Sequence, residues 1–306
     1  MTTSLQFRNV ALLASTGNLG SKILKSLVGA GFNVTAIQRA GSTKQVQAGI
    51  KAIQVDLSNK TDLSSAFKGQ DAVVSAVPNP VLKTEKIMID AAIEAGVKRV
   101  VLSEFSSNLE AKGKDVNLEI VKDKLEIRRY VEEAVKGTNT EWSSINNGPF
   151  LDLGVKMGFL GPNLRTKTAT FHDGGDKLVC STPTEDIGKA VALMLQKPAE
   201  TKNKPVYVYS TLISERKMTD IVSKITGQEF KIQHADVQKD ADAYLEDLKN
   251  GRKPANPWAR FNLCMLMMYG EGYGGNYADT AMNETLGLRV MDDKELEEKV
   301  AEWLKE

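Results

Sequence analysis

The chain has 306 residues, 42% of them hydrophobic and 26% charged, with 40 lysines and arginines against 39 acidic residues. A net charge of +1 gives no reason to expect nucleic acid or an anionic membrane surface as a partner. The length suffices to bury a large core in one big domain or two. Cys180 and Cys264 form no metal-type cluster and suggest no disulfide framework. Met1 to Asn9 lacks the apolar core of a signal peptide, and no stretch reaches the length of a membrane span, so a cytoplasmic protein is expected.

The first element is the apolar run Val10 to Ala14, continuous rather than alternating, which predicts a buried parallel strand. The turn Ser15-Thr16-Gly17 follows, and Leu19, Ile23, Leu24 and Leu27 then recur at helical spacing. Strand, tight turn and helix in this order form the first unit of a dinucleotide-binding domain. The helix start offers unpaired amides and a positive dipole end to a pyrophosphate. Gly17 would let the backbone approach phosphates, and Gly20 would let the helix pack on the sheet. Ala14 stands where a G-x-x-G-x-x-G pattern has its first glycine, which is tolerable if φ there is negative.

Further strands are expected at Asn33 to Gln38, Lys51 to Val55, Asp71 to Val77, Val97 to Ser103 and Glu141 to Ile145. Helices are expected at Leu63 to Phe67, Val81 to Ala95 and Leu118 to Lys136. This alternation implies an α/β fold, a Rossmann-type doubly wound parallel sheet, over residues 1–150. Residues 151–306 read as a smaller α+β substrate or lid region, partly folded back on the first. Its strands are expected at Ala169 to Phe171, Lys177 to Cys180 and Val206 to Tyr209. Its helices are expected at Ile187 to Leu195, capped by Thr184, at Ser214 to Thr226, within the mixed-charge stretch Asp236 to Lys253, and at Asp293 to Lys305.

The second strand ends Gln38-Arg39-Ala-Gly-Ser-Thr-Lys44, with no acid to take ribose hydroxyls and Arg39 where a 2′-phosphate would arrive. NADP(H) is therefore expected over NAD(H), with Lys44 a second cation. Asp56 either faces the adenine amine or caps the next helix. In the helix at Leu118 to Lys136, Ile120, Val121, Leu125, Ile127, Val131 and Val135 form one apolar arc, and Lys124 falls near its middle. A lysine so placed either snorkels out or points into a cavity where desolvation lowers its pKa and suits it to acid–base work. None of the seven tyrosines is followed by lysine four positions on, so the tyrosine-dependent short-chain dehydrogenase mechanism has no support.

Ala14-Ser-Thr-Gly-Asn-Leu-Gly20, Arg39, Val101-Leu-Ser-Glu-Phe105, Lys124-Leu-Glu-Ile-Arg-Arg129 and Asn147-Gly-Pro-Phe150 together resemble the isoflavone reductase and NmrA-like group, fungal members most of all. These are atypical short-chain dehydrogenase relatives. The resemblance covers the chain to about Phe150 and, more loosely, Thr184 to Gly188. It implies an NADPH-dependent oxidoreductase in which Lys124 is the catalytic lysine and Arg128-Arg129 match paired arginines. Ser106 departs from the glycine that follows Ser-Glu-Phe in the reductase branch.

The resemblance implies a cofactor site of Ala14, Thr16, Gly17, Asn18, Leu19, Gly20, Arg39, Lys44, Asp56, Val77, Ser103, Glu104, Phe105, Lys124, Asn147, Pro149 and Phe150. The substrate pocket is expected from Phe105, Phe150, His172, Phe261, Met265, Met268 and Tyr269. The stretch Pro257 to Tyr269 reads as core or as an adaptable apolar wall, and His172 as a histidine with a local hydrogen bond or a substrate contact. A small aromatic enone, carbonyl or quinone methide is the expected substrate. The alternatives are a nucleotide-sensing regulator and a redox-neutral isomerase or cyclase. No metal, nucleic acid or membrane partner is expected; a homodimer is left open.

Overall fold

The computed structural model describes residues 6–111, 119–253 and 259–305. In the first half, β1 (Asn9–Leu13), α1 (Asn18–Gly29), β2 (Asn33–Arg39), β3 (Lys51–Val55), α2 (Lys60–Phe67) and β4 (Ala72–Ser75) come first. Then follow α3 (Glu85–Glu94), β5 (Arg99–Ser106), α4 (Lys122–Ala134) and β6 (Glu141–Asn146). The second half holds α5 (Leu151–Met157), β7 (Pro162–Asn163), β8 (Thr168–His172), β9 (Val179–Ser181), α6 (Thr184–Gln196), α7 (Pro198–Thr201), β10 (Lys204–Tyr207) and β11 (Thr211–Ile213). It ends with α8 (Glu215–Thr226), β12 (Lys231–Ala235), α9 (Val237–Lys249), α10 (Phe261–Tyr269), α11 (Asn283–Leu286) and α12 (Asp293–Trp303).

Seven strands form one parallel sheet in the order β10-β6-β5-β4-β1-β2-β3. The sheet is buried on both faces, which is why β1 reads as an unbroken apolar run. Alternate side chains of β1 enter opposite cores. Val10 and Leu12 pack with α1 and α6 through Ile23, Leu27, Ile187 and Val191, whereas Ala11 and Leu13 pack with α2, α3 and α4. A third core, around Val155, Met218, Leu263 and Leu296, joins α5, α8, α10 and α12. The outer strand β10 comes from the second half of the chain and pairs with β6, so that half contributes directly to the sheet. Strand order reverses between β1 and β4, the point where such sheets open a crevice at their carboxyl ends.

Several boundaries differ from the sequence reading. The helix expected from Val81 begins as a 3-10 turn, Asn79–Thr84, with proline in its first positions, and becomes α-helical only at Glu85. Helix α4 starts at Lys122, so Ile120 and Val121 precede it; Leu118 lies outside the described residues. Helix α2 starts earlier than expected because Asn59 caps it, its Oδ1 accepting from the Thr61 and Asp62 amides at 2.9 and 3.2 Å. Asp56 is therefore not the cap. Its carboxylate closes a local turn by accepting from the amide and hydroxyl of Ser58. Nor does Thr184 cap α6: Pro183 holds that position, and the Thr184 hydroxyl donates to Asp152. Short β7, β11 and β12 and the seven-residue α5 carry too little periodicity to be anticipated. Among the described residues no helix is long and apolar enough to cross a membrane.

Candidate active site

The chain leaves β1 through Ala14, whose φ is +58°, not the negative value expected for an alanine. This left-handed step lets the Ala14 carbonyl accept from the Gly17 amide at 3.0 Å and close the turn into α1. Gly17 is extended and precedes the helix (φ −80°, ψ 172°). The amides at the start of α1 have no partner inside the helix. Gly20 sits so close under the turn that a Cβ there would lie 2.1 Å from the Ala14 carbonyl oxygen. The cradle is thus shaped to hold an anionic group against open backbone.

A left-handed alanine is strained by about 1–2 kcal/mol, part of which is offset by its lower entropy in the unfolded chain. Ala14→Gly is accordingly expected to raise the melting temperature by about 1–3 °C, read by calorimetry. A fall instead would mean that Ala14 is relaxed.

Two cavities meet at the carboxyl ends of the strands. The first, about 340 Å³, runs from Ala14, Gly17, Asn18, Leu19 and Gly20 past Val77 to Ser103, Glu104, Phe105, Lys124 and Phe150. The second, about 320 Å³, lies between the β5 end, the Gly148-Pro149-Phe150 turn and α10, with Phe159, Phe261, Cys264, Met267 and Met268 in its wall. Phe105, Lys124 and Phe150 line both. Gly148 permits the turn between them: its φ is +67°, and a Cβ there would stand 1.8 Å from the Cys180 carbonyl oxygen.

Eleven of the expected cofactor residues therefore share one cavity. Thr16 is half-buried in the same turn but outside the cavity wall. Arg39, Lys44 and Asp56 are exposed beyond the β2 and β3 ends, and the Lys44 carbonyl accepts from Gln38 at 2.7 Å. Asn147 is fully buried, its amide nitrogen on the Gly148 carbonyl and its Oδ1 without a protein partner. Pro149 lines the second cavity instead.

Of the expected substrate pocket, Phe105, Phe150, Phe261 and Met268 line the second cavity, whereas Met265, Tyr269 and His172 do not. On α10 the cavity face is that of Phe261, Cys264, Met267 and Met268, three or four residues apart along the helix; Met265 and Tyr269 turn into the core behind. His172 is held away by Glu215, which accepts from its backbone amide and pairs with its Nδ1, each at 2.6 Å. Its ring stacks on Tyr269 at 5.5 Å.

The sequence reading missed Ala76 and Pro78, which reach the first cavity because β4 neighbours β1, and Phe159, which follows the unanticipated α5. It missed Cys264 and Met267 because composition marked the stretch but not its face. Ser106, in place of a glycine, lines the second cavity, where its carbonyl accepts from the Asn147 and Gly148 amides.

The end of β5 is irregular. Its register against β6 shifts between Leu102 and Ser106, and Phe105 has φ +32°. A bulge re-aims side chains, and a strained non-glycine residue persists only where its surroundings hold it. Here the holding group is buried Arg128. Its Nε donates to Glu104 Oε1 at 2.7 Å and its Nη2 to Oε2, a fork on the carboxylate. That explains why arginine interrupts the apolar arc of α4. Arg129, the second of the pair, is exposed.

Lys124 Nζ donates to the Glu104 backbone carbonyl. Burial of the ammonium lowers its pKa from the usual lysine value, opposed by the nearby Glu104, Glu85 and Cys264. Behind the wall, Glu85 Oε1 accepts from the Ser103 amide at 2.9 Å, and burial pushes its carboxyl up to about 7. The Ser103 hydroxyl donates to the Val77 carbonyl at 2.9 Å, tying β5 to the β4 end.

This geometry agrees with comparisons to known proteins. The family model described as the NmrA-like family matches residues 7–250. Over 302 residues the chain is 31% identical to Oxidoreductase aprR of Aspergillus flavus, covering 97% of this chain and 98% of that one. It is 28% identical over 242 residues to pinoresinol reductase 2 of Arabidopsis thaliana, covering 72% and 75% of the two chains. The fold is similar to that of leucoanthocyanidin reductase from Vitis vinifera, solved as a binary complex with NADPH. The TM-score is 0.76 at 16% identity, over 97% of this chain and all of the other. The chain belongs to the NmrA-like family and is of the oxidoreductase class.

Proposed function

We propose that the protein is an NADPH-dependent reductase of a small, largely uncharged, aromatic enone, carbonyl or quinone methide. One observation carries the reading. Lys124 stands in the partition between a cavity at the switch point of the sheet and a second, apolar one. The first cavity suits a dinucleotide: a glycine cradle under a helix start, no acid after β2, and Arg39 exposed at that strand's end. The second suits an aromatic molecule, with phenylalanines and methionines around a single cation.

NADPH would supply the hydride. The chain supplies the rest. Phe105 and Phe150 flank the passage between the cavities. The Lys124 ammonium donates a proton to, or stabilises, the substrate oxygen as negative charge grows there. The pinned Glu104 carbonyl holds that ammonium in place.

Arg39→Ala is expected to weaken NADPH binding about 10–100-fold, the value of one charge-assisted hydrogen bond, and to leave NADH binding unchanged. Equal losses for both nucleotides would show that Arg39 acts only structurally. The activity itself is tested by following NADPH consumption with aryl enones, aryl ketones and quinone methides. Stoichiometric oxidation of NADPH with one of these classes is the expected result. Conversion without NADPH loss would instead indicate an isomerase.

A further inference from the structure

Glu85 opens α3, yet its side chain is only 2% exposed. It lies outside the walls of both cavities. Among the described residues it makes no ion pair. The ammonium next to it in sequence, Lys86, turns outward to Glu126 at 2.5 Å. A buried carboxylate without its own cation is costly and calls for a reason. Accepting the Ser103 amide does not supply one, since a glutamine oxygen would accept it equally well.

The residue after Ser103 is Glu104, whose carbonyl receives the Lys124 ammonium. Glu85, Ser103, Glu104 and Lys124 thus form one contiguous path from the α3 start to the partition between the cavities. We infer that Glu85 is a positioning residue whose negative charge holds Lys124 protonated and so sets the pH range over which Lys124 can deliver a proton. This rests on the reading of Lys124 as the proton donor.

The surroundings leave few other groups to do this. From β4 only the Ser75 hydroxyl stands beside the Glu85 carboxyl, and from β5 come the Ser103 amide and the Glu104 carboxylate. The Glu104 carboxylate is already engaged by Arg128 on α4. From α10 the thiol of Cys264 faces Lys124, and burial pushes that thiol up to about 11. Five residues along α3, Asp90 is taken by the Tyr130 hydroxyl at 2.6 Å. Among the described residues, Glu85 is left as the carboxylate acting on Lys124 that has no ion pair of its own.

A negative charge near an ammonium raises its pKa, so removing it lets Lys124 lose its proton at lower pH. The test is Glu85→Gln, which keeps the shape and the acceptor for Ser103. The charge on Lys124 is read by titrating ε-¹³C lysine signals in NMR, with Lys124 assigned by the loss of its signal in Lys124→Arg. In Glu85→Gln the midpoint is expected to fall by about one pH unit, and the alkaline limb of kcat/KM to move with it. In the wild type, the Lys124 signal should also show a second inflection near 7 as Glu85 ionises, absent from the variant.

An unmoved midpoint overturns the inference. Should Glu85→Gln not fold, the wild-type inflection decides alone, and its absence overturns the inference. Failure of the reductase reading looks different: Lys124→Ala would turn over as the wild type does, while the Lys124 signal still responded to Glu85.

Discussion

Lys124→Ala is expected to lower kcat by about 10²–10⁴-fold, the range for removal of a positioned general acid, while NADPH binds within about threefold of wild type. The two readouts separate because Lys124 is only the far wall of the first cavity, and the proposed phosphate end lies at Ala14 to Gly20. Arginine should not rescue it. A guanidinium cannot give up its proton, and its planar fork does not fit a site built around one backbone carbonyl. Stopped-flow single turnovers with bound NADPH would isolate the chemical step. A variant that retained full kcat would remove Lys124 from the mechanism. A variant that lost NADPH binding as well would make it a structural residue.

Gly20→Ala should produce the largest loss of stability. The added methyl would meet the Ala14 carbonyl oxygen at 2.1 Å and its carbon at 2.9 Å, both backbone atoms that no rotamer change can move. Either α1 lifts from the sheet, exposing Leu19, Ile23 and Leu27, or the left-handed turn at Ala14 unwinds. Overpacking of this kind costs about 3 kcal/mol or more, a fall of about 6–12 °C in melting temperature for a domain of this size. Nucleotide affinity should fall at least about tenfold, because the helix start that would face the phosphates moves with α1. Melting and nucleotide titration on the same preparation would check both, and a variant unchanged in either would mean that the turn is softer than its contacts imply.

The turn from β1 into α1 was legible because its signals are local. An apolar run buried on both faces, a small-residue turn and a helical stripe each appear within twenty residues. The lysine was legible for a related reason, as a cation interrupting an apolar arc. Arg128 interrupted the same arc, but only the fold reveals that it grips Glu104. Glu85 gave no signal at all, since an acid in a first helical turn is ordinary and its burial depends on β5 passing beneath it. The left-handed backbones of Ala14 and Phe105 were equally hidden, because neither alanine nor phenylalanine advertises a positive φ. His172 and Tyr269 looked like pocket residues by chemistry, yet Glu215 takes the His172 ring, which stacks on Tyr269 away from the cavity.

The most direct test is a titration of the purified protein with NADPH, NADP⁺, NADH and NAD⁺ at one ionic strength, followed by nucleotide fluorescence or calorimetry. The expected result is preference for the two phosphorylated nucleotides by about 10–100-fold, lost in Arg39→Ala. Equal binding of NAD⁺ and NADP⁺ with little affinity for the reduced forms would instead mark a sensor of the oxidised nucleotides. No binding of any of the four would contradict the account outright.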